Sequence, residues 1–197
     1  NLSTARWLES DRMRNLNISA EAYETEKHVV IEEFKQRYLN QPYGDELLLL
    51  RDLCYKRHPY RWATIGITPE HIERATLDDV RSFYDLHYRP SRAMLAISAD
   101  IDEEEMLRLA EEYFGEIEDM GGEIAAIPQE PRQIEARRLV VEREVPATDI
   151  TIAFHMGDRL SRDFFSGDLA SDLLAGGESS RLINRLVKER GLFSSVN

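Results

Sequence analysis

The chain has 197 residues, 42% hydrophobic and 31% charged, a mixture that can bury a core and that excludes a disordered tail or a collagen-like fibre. No apolar run reaches the roughly eighteen residues of a membrane-spanning helix, and the lone Cys54 excludes an internal disulfide and a cysteine-rich zinc site while leaving the compartment open, bacterial periplasm and cytoplasm alike. A net charge of −12, from 25 Lys and Arg against 37 Asp and Glu, leaves no basic surface for nucleic acid.

Asn1 is not a methionine, nothing like a signal peptide follows it, and residues 192–196 read as a strand that stops at Asn197, so both ends are expected to be cuts in a longer protein. Residues 2–14 have helical spacing, with Leu2, Ala5, Leu8 and Met13 along one side. Ser19 is an N-cap before an acidic first turn and opens a long helix reaching Tyr38, closed by Asn40-Gln41-Pro42. Residues 43–57 continue as a helix with a Leu-rich face, and 58–68 as a loop. Thr68-Pro69-Glu70 and Thr76-Leu77-Asp78-Asp79 open two short helices, and Tyr88-Arg89-Pro90 breaks the second. Residues 93–99 form an apolar run of strand length, and 102–115 an amphipathic helix with Met106, Leu109, Ala110 and Tyr113 inward.

Gly121-Gly122, Pro128 and Pro131 mark an aperiodic linker, placed at 119–136 between domains at 1–118 and 137–197. Beyond it, 138–144 and 150–154 read as strands, and 164–174 and 179–189 as helices. Two segments thus share an order of helix, loop, strand and helix, and the fold class expected is α+β. Residues 102–130 carry eleven acidic side chains against one basic, Arg108. That excess reads as a solvated face, with attraction of basic substrates as the functional alternative.

The helix over residues 21–38 carries the chemistry. At about 100° per residue, Glu26 and Glu33 fall within about 20° of each other, with Val30, Tyr23 and Phe34 to one side and Val29 and Ala22 to the other. Both carboxylates are therefore expected on an inward, apolar arc. Such groups cost several kcal/mol unless paired or bound to a metal. Salt bridges to Arg12 or Arg37 are the structural explanation, and a metal the functional one. Glu24, His28 and Glu32 have one-face spacing too, but they point to the solvent side. The other histidines (His58, His71, His87 and His155) form no His-x-x-x-His pair, no Gly-x-Ser-x-Gly occurs, and Gly176-Gly177-Glu178 lacks the lysine of a phosphate loop.

Glu26-Lys-His-Val-Val-Ile-Glu-Glu33 resembles the distal zinc-ligand helix of the pitrilysin/insulinase family of zinc metallopeptidases, the inverzincins, in their processing-peptidase-like form. Further segments follow in family order. They are Trp7 to Met13, His58-Pro-Tyr60 with Ile65-Gly66, Phe83 to Tyr88 with Pro90 and Met94, Ala99-Asp-Ile-Asp102, Gly176-Gly-Glu-Ser-Ser-Arg-Leu182 and Glu189-Arg-Gly-Leu192.

The resemblance implies an α+β fold of antiparallel-rich sheets flanked by helices, with parts of two consecutive family domains present. It implies zinc, with Glu33 as the distal metal ligand and Glu26 orienting a ligand. The zinc-bound water attacks a peptide carbonyl while a glutamate base takes its proton. The inverted His-x-x-Glu-His motif of the family is absent, so no catalytic residue is expected within the chain, and the base and both histidine ligands are expected upstream of Asn1. The substrate-holding Arg and Tyr of the family fall on Val187 and Ser194, which implies a partner half or subunit that supplies that pair. Arg181 and Tyr60 are the candidates for substrate contact, against capping and loop packing.

The function implied is a zinc-dependent endopeptidase cleaving unfolded peptides, with this piece inactive and a poor zinc binder when alone. Two other readings stand beside it. One is a non-catalytic assembly or scaffold homologue of the same family. The other is a plain acidic α+β domain whose Glu26 and Glu33 form salt bridges.

Overall fold

The computed structural model describes residues 2–119 and 122–197. Asn1 and Gly121, named above for the chain start and the linker, lie outside the described residues. The chain divides into two compact units, Asn1–Pro146 and Ala147–Asn197. The first carries α1 (Leu2–Asn15), α2 (Ala20–Phe34), α3 (Glu46–Cys54), α4 (Pro69–Arg74), α5 (Leu77–His87) and α6 (Glu103–Phe114). The second carries α7 (Arg162–Ala175) and a π-helical segment, Ile183–Glu189.

Helix starts follow the capping residues. Ser19 Oγ accepts from the Ala22 amide at 3.1 Å and Thr68 Oγ1 from His71 at 3.2 Å, with Pro69 in the first turn. Thr76 and Asp79 close a reciprocal box: Thr76 Oγ1 accepts from the Asp79 amide at 3.2 Å and Asp79 Oδ2 accepts from the Thr76 amide at 2.8 Å. The bonds from Thr76 hold the Asp79 carboxyl below its usual range. Asp102 caps α6 through the Glu105 amide at 2.8 Å, and Ser161 caps α7 through Phe164 at 3.2 Å. On α6, Arg108 sits between Glu105 and Glu112, each at 2.9 Å, so the acidic stretch is partly neutralised on its own helix surface.

Two helices differ from the periodicity. The long second helix passes at Lys35 into a π-helical turn, Lys35–Leu39, where the Asn40 amide donates to the Lys35 carbonyl at 2.9 Å. Expected over 43–57, α3 spans only Glu46–Cys54. Tyr43 has φ +62°, outside the helical region. At the other end, the amides of residues 56–58 are taken by a side chain from far along the chain, Glu130.

The fold class differs most. In place of antiparallel-rich α+β, the described residues are helices and irregular segments, with no strand and only an isolated bridge between Ala63 and Gly66. Residues 93–99, 138–144, 150–154 and 192–196 have no regular structure. Their apolar and β-branched composition gives a propensity, but a strand exists only when a neighbour takes its N–H and C=O groups. Among the described residues no strand pairs with them, and much of their apolar surface is open: Met94 is 94% exposed and Phe154 87%.

Among the described residues the buried apolar side chains are few, namely Phe34, Ile31, Ala63 and Leu109, and only Phe34, at 1% exposure, is fully buried. Packing joins α2 to α4, α1 to α6, and α3 to the short turn Pro59–Arg61. Hydrogen bonds reinforce the layers. The Tyr84 hydroxyl lies 2.8 Å from the carbonyl oxygens of both Arg12 and Met13, tying α5 to the end of α1. Arg81 donates to the Ile18 carbonyl at 3.0 Å, and the Tyr23 hydroxyl donates to the Ala75 carbonyl.

Residues 130–143, part of the first unit, run along α3 in the reverse direction. Glu130 Oε1 accepts from the Lys56 amide at 2.8 Å, and its Oε2 from the Arg57 and His58 amides at 2.7 and 2.9 Å. Arg137 Nη1 donates to the Leu53 and Cys54 carbonyls at 2.9 and 3.0 Å. Arg143 pairs with Asp45 at 2.5 Å, at the start of α3. Desolvation pushes the Glu130 carboxyl up, but the three amides and the Arg137 charge together outweigh it and bring the group down to about 2.

Two predictions follow from the packing and from this carboxylate. Phe34→Ala should lower the unfolding free energy by about 3–5 kcal/mol in urea titrations, whereas Val29→Ala, at a position 55% exposed, should change it by less than about 0.5 kcal/mol. Because the folded value of Glu130 lies below its ordinary 4.5, its contribution is present above about 4.5 and lost as pH falls towards about 2. The stability difference between the natural chain and Glu130→Gln should therefore shrink across that interval. Carbon-13 NMR should place the Glu130 carboxyl midpoint near its lower end, and a midpoint at the ordinary value would contradict the geometry.

Candidate functional site

The side of α2 that packs is set by Ile31 and Phe34, with Tyr23, Lys27 and Val30 half-buried beside them. This places the packed arc about 90° round the helix from Glu26 and Glu33. Both carboxylates, with Val29 between them, are exposed, which corrects the inward orientation expected from the helical wheel. The wheel marked apolar residues on both sides of the carboxylates, yet Ala22 and Val29 on one flank are exposed, with no covering element among the described residues. Glu26 and Glu33 nevertheless share one side of the helix, as their spacing requires.

Glu33 lies at a hollow of about 420 Å³. Its walls are Glu33 with Arg37 and Tyr38 from the end of the second helix, Leu47, Leu48 and Arg51 from α3, and Ala63, Thr64 and Ile65 from the following loop. Gly66 makes that loop possible. It turns at φ +124°, a conformation side chains rarely adopt, and a Cβ there would stand 3.3 Å from Ile72 Cγ1.

The guanidiniums in the hollow are engaged elsewhere. Arg51 Nη1 donates to the Tyr60 carbonyl at 3.3 Å, and Arg37 sits over the Tyr38 ring at 5.7 Å from its centroid. Arg12 pairs with Glu9 at 3.2 Å. The salt bridges that would explain Glu26 and Glu33 structurally are therefore not formed, and both carboxylates lack a hydrogen-bond or ion-pair partner among the described residues.

The solvent-side trio behaves as ordinary helix surface. Glu24 pairs with Lys27 at 3.0 Å and Glu32 with Lys35 at 2.7 Å, which raises both lysines, and His28 Nδ1 lies 2.7 Å from the Glu24 carbonyl. Among the described residues, no group of three or more His, Cys, Asp or Glu is placed to hold a metal ion. Glu33 can thus offer one carboxylate donor, the kind of oxygen that suits zinc, but not a complete ligand set.

Tyr60 is exposed and stands edge-on to Tyr55 at 5.7 Å and to His58 at 4.3 Å. His58 Nδ1 accepts from the Tyr60 amide at 3.1 Å, so His58 caps its own turn. The Tyr60 carbonyl accepts from Arg51, a wall of the hollow, and the residue remains 61% exposed with its ring against Tyr55 and His58. Arg181 is exposed at the start of the helical segment of the second unit. Sequence reasoning missed Glu130 and Arg137. No local pattern marks Glu130, which stands in an aperiodic stretch 72 to 74 residues from the amides it holds. No helix of the described residues is long and apolar enough to cross a membrane.

Comparison with known proteins gives the family. Residues 74–197 match the family described as peptidase M16 inactive domain. The chain is 28% identical over 199 residues to the zinc protease PqqE of Helicobacter pylori, covering 100% of this chain and 45% of that protein. It is 27% identical over 187 residues to a probable mitochondrial-processing peptidase subunit beta of Schizosaccharomyces pombe, covering 90% and 40%. The crystal structure of a protease from Helicobacter pylori superimposes with a TM-score of 0.80 at 28% identity, over 99% of this chain and 47% of that one. The chain therefore spans less than half the length of these relatives. With residues 74–197, more than half of its length, matching the family and a zinc protease aligned along the whole of it, the chain belongs to the peptidase M16 family, the pitrilysin/insulinase-like group.

Proposed function

We propose that the chain is part of a zinc-dependent endopeptidase acting on unfolded peptides, to which it contributes the distal metal-binding carboxylate. The observation that carries this reading is the Glu33 carboxylate, without a partner among the described residues beside a hollow in which Arg51 is bonded to the Tyr60 carbonyl and Arg37 sits over the Tyr38 ring. Relatives named as zinc proteases support it. In this reading Glu33 would be a ligand of the metal, and Glu26, two turns earlier on the same side of α2, would orient a ligand by hydrogen bonding. Two histidines and the glutamate base come from residues outside this sequence. Bound zinc supplies a water acidified to a pKa of about 7.

Residues 1–118 then form the back of the metal-bearing domain, with 130–143 packed along it, and the second unit, Ala147–Asn197, belongs to the front of the next. In this reading Tyr60, exposed in the turn after α3, and Arg181, exposed in the second unit, contact the peptide. Val187 and Ser194 stand where the family's substrate-holding Arg and Tyr would be, so a partner half supplies that pair. A relative described as a subunit of a processing peptidase agrees with such a division of labour.

A second reading is a non-catalytic member of the family that serves assembly. The description of the matched family as an inactive domain favours it. The two readings separate on the metal.

In the full-length protein, Glu33→Gln should lower zinc content, measured by atomic absorption after dialysis, and peptide cleavage by at least about 100-fold, and Glu26→Gln should lower zinc affinity by about 10–100-fold. Glu33→Gln with full zinc and full cleavage would overturn the assignment. Natural full-length protein without zinc or cleavage would favour the assembly role.

A further inference from the structure

We propose that residues 130–143 are a brace that sets the position of α3 as one wall of the Glu33 hollow, with Glu130 and Arg137 as its positioning residues. Three anchors along α3 carry this. Glu130 takes the amides of residues 56–58 just past the helix, Arg137 takes the carbonyls of Leu53 and Cys54 in its last turn, and Arg143 takes Asp45 before its first. The last carbonyls of a helix have no partner within it, and the negative end of its dipole favours a cation there. Arg137 meets both conditions. Glu130 gathers three converging N–H groups with an ionised carboxylate, the stronger class of hydrogen bond.

The anchors matter because apolar packing holds α3 only in part. None of its residues is fully buried: Leu48, Leu49, Leu50 and Leu53 are half-buried and Leu47 is 58% exposed. A helix with few buried contacts is free to shift unless polar bonds fix it. Leu47, Leu48 and Arg51, which face Glu33 across the hollow, all sit on this element. Arg51 and Asp52 also pass the constraint on to the next turn, through the Tyr60 carbonyl at 3.3 Å and Arg61 at 2.8 Å. Loss of the brace should therefore move the wall of the hollow while leaving α2, packed through Phe34, in place.

The step from wall position to peptide handling rests on the function proposed above; the brace itself does not. The test uses full-length protein carrying Glu130→Gln, Glu130→Asp, Arg137→Gln or Glu33→Gln. Hydrogen exchange followed by mass spectrometry should show amides of residues 49–55 exchanging about tenfold faster in Glu130→Gln and Arg137→Gln, with α2 unchanged and Glu130→Asp returning part of the protection. KM for an unstructured peptide should rise about threefold or more, with kcat within about twofold and zinc content unaltered.

Unchanged exchange in α3, or equal acceleration in α2 and α3, would overturn the brace. Faster exchange in α3 with KM unmoved would overturn its role at the hollow. Glu33→Gln with full activity would remove the peptidase reading alone, and the exchange result would still decide the brace.

Discussion

Burial of Phe34 and Ile31 sets the roll of α2 about its axis, and that roll decides where Glu26 and Glu33 point. A buried aromatic ring outweighs the small preference of any exposed side chain, by several kcal/mol against tenths. The carboxylates are therefore carried to the open flank as a consequence of core packing. An exposed carboxylate loses little hydration, so Glu33 stands at the hollow without a counter-charge at low cost. A buried one would have demanded an arginine. The carboxylate is left exposed at the hollow, with no partner among the described residues.

The opposite wall is held in another way. Where α2 is fixed by apolar burial, α3 is fixed by ionic and amide bonds from a distant segment. Individually such exposed bonds contribute little. Together they define a line of contacts from one end of the helix to the other. The hollow thus lies between an element set by packing and an element set by polar anchors, and the second is the one that chemistry at a single residue can loosen.

Much of the helical framework was legible. Ser19, Thr68 and Thr76 announced starts that the structure realises, because an N-cap is a local interaction readable from adjacent residues. Asp102 to Gly115 was legible from a 3.6-residue pattern for the same reason. The strands were not. Residues 138–144 carry strand-like composition, yet a ladder depends on a partner that composition does not name. At the site, spacing alone placed Glu26 and Glu33 on one side of α2, and ordered motifs named the family. Which side would face the core depended on what packs against the helix, and the Glu130 brace depended on a contact across more than seventy positions. Both are tertiary facts with no local signature.

The central claim is that Glu33 is free at the hollow because it receives a cation there. The most direct test is a crystal structure of the full-length protein grown with zinc and examined by anomalous scattering at the zinc edge. The account expects one zinc within about 2.0–2.2 Å of a Glu33 carboxylate oxygen. A zinc bound elsewhere with Glu33 solvated, or Glu33 closed onto Arg37 or Arg51, would contradict it.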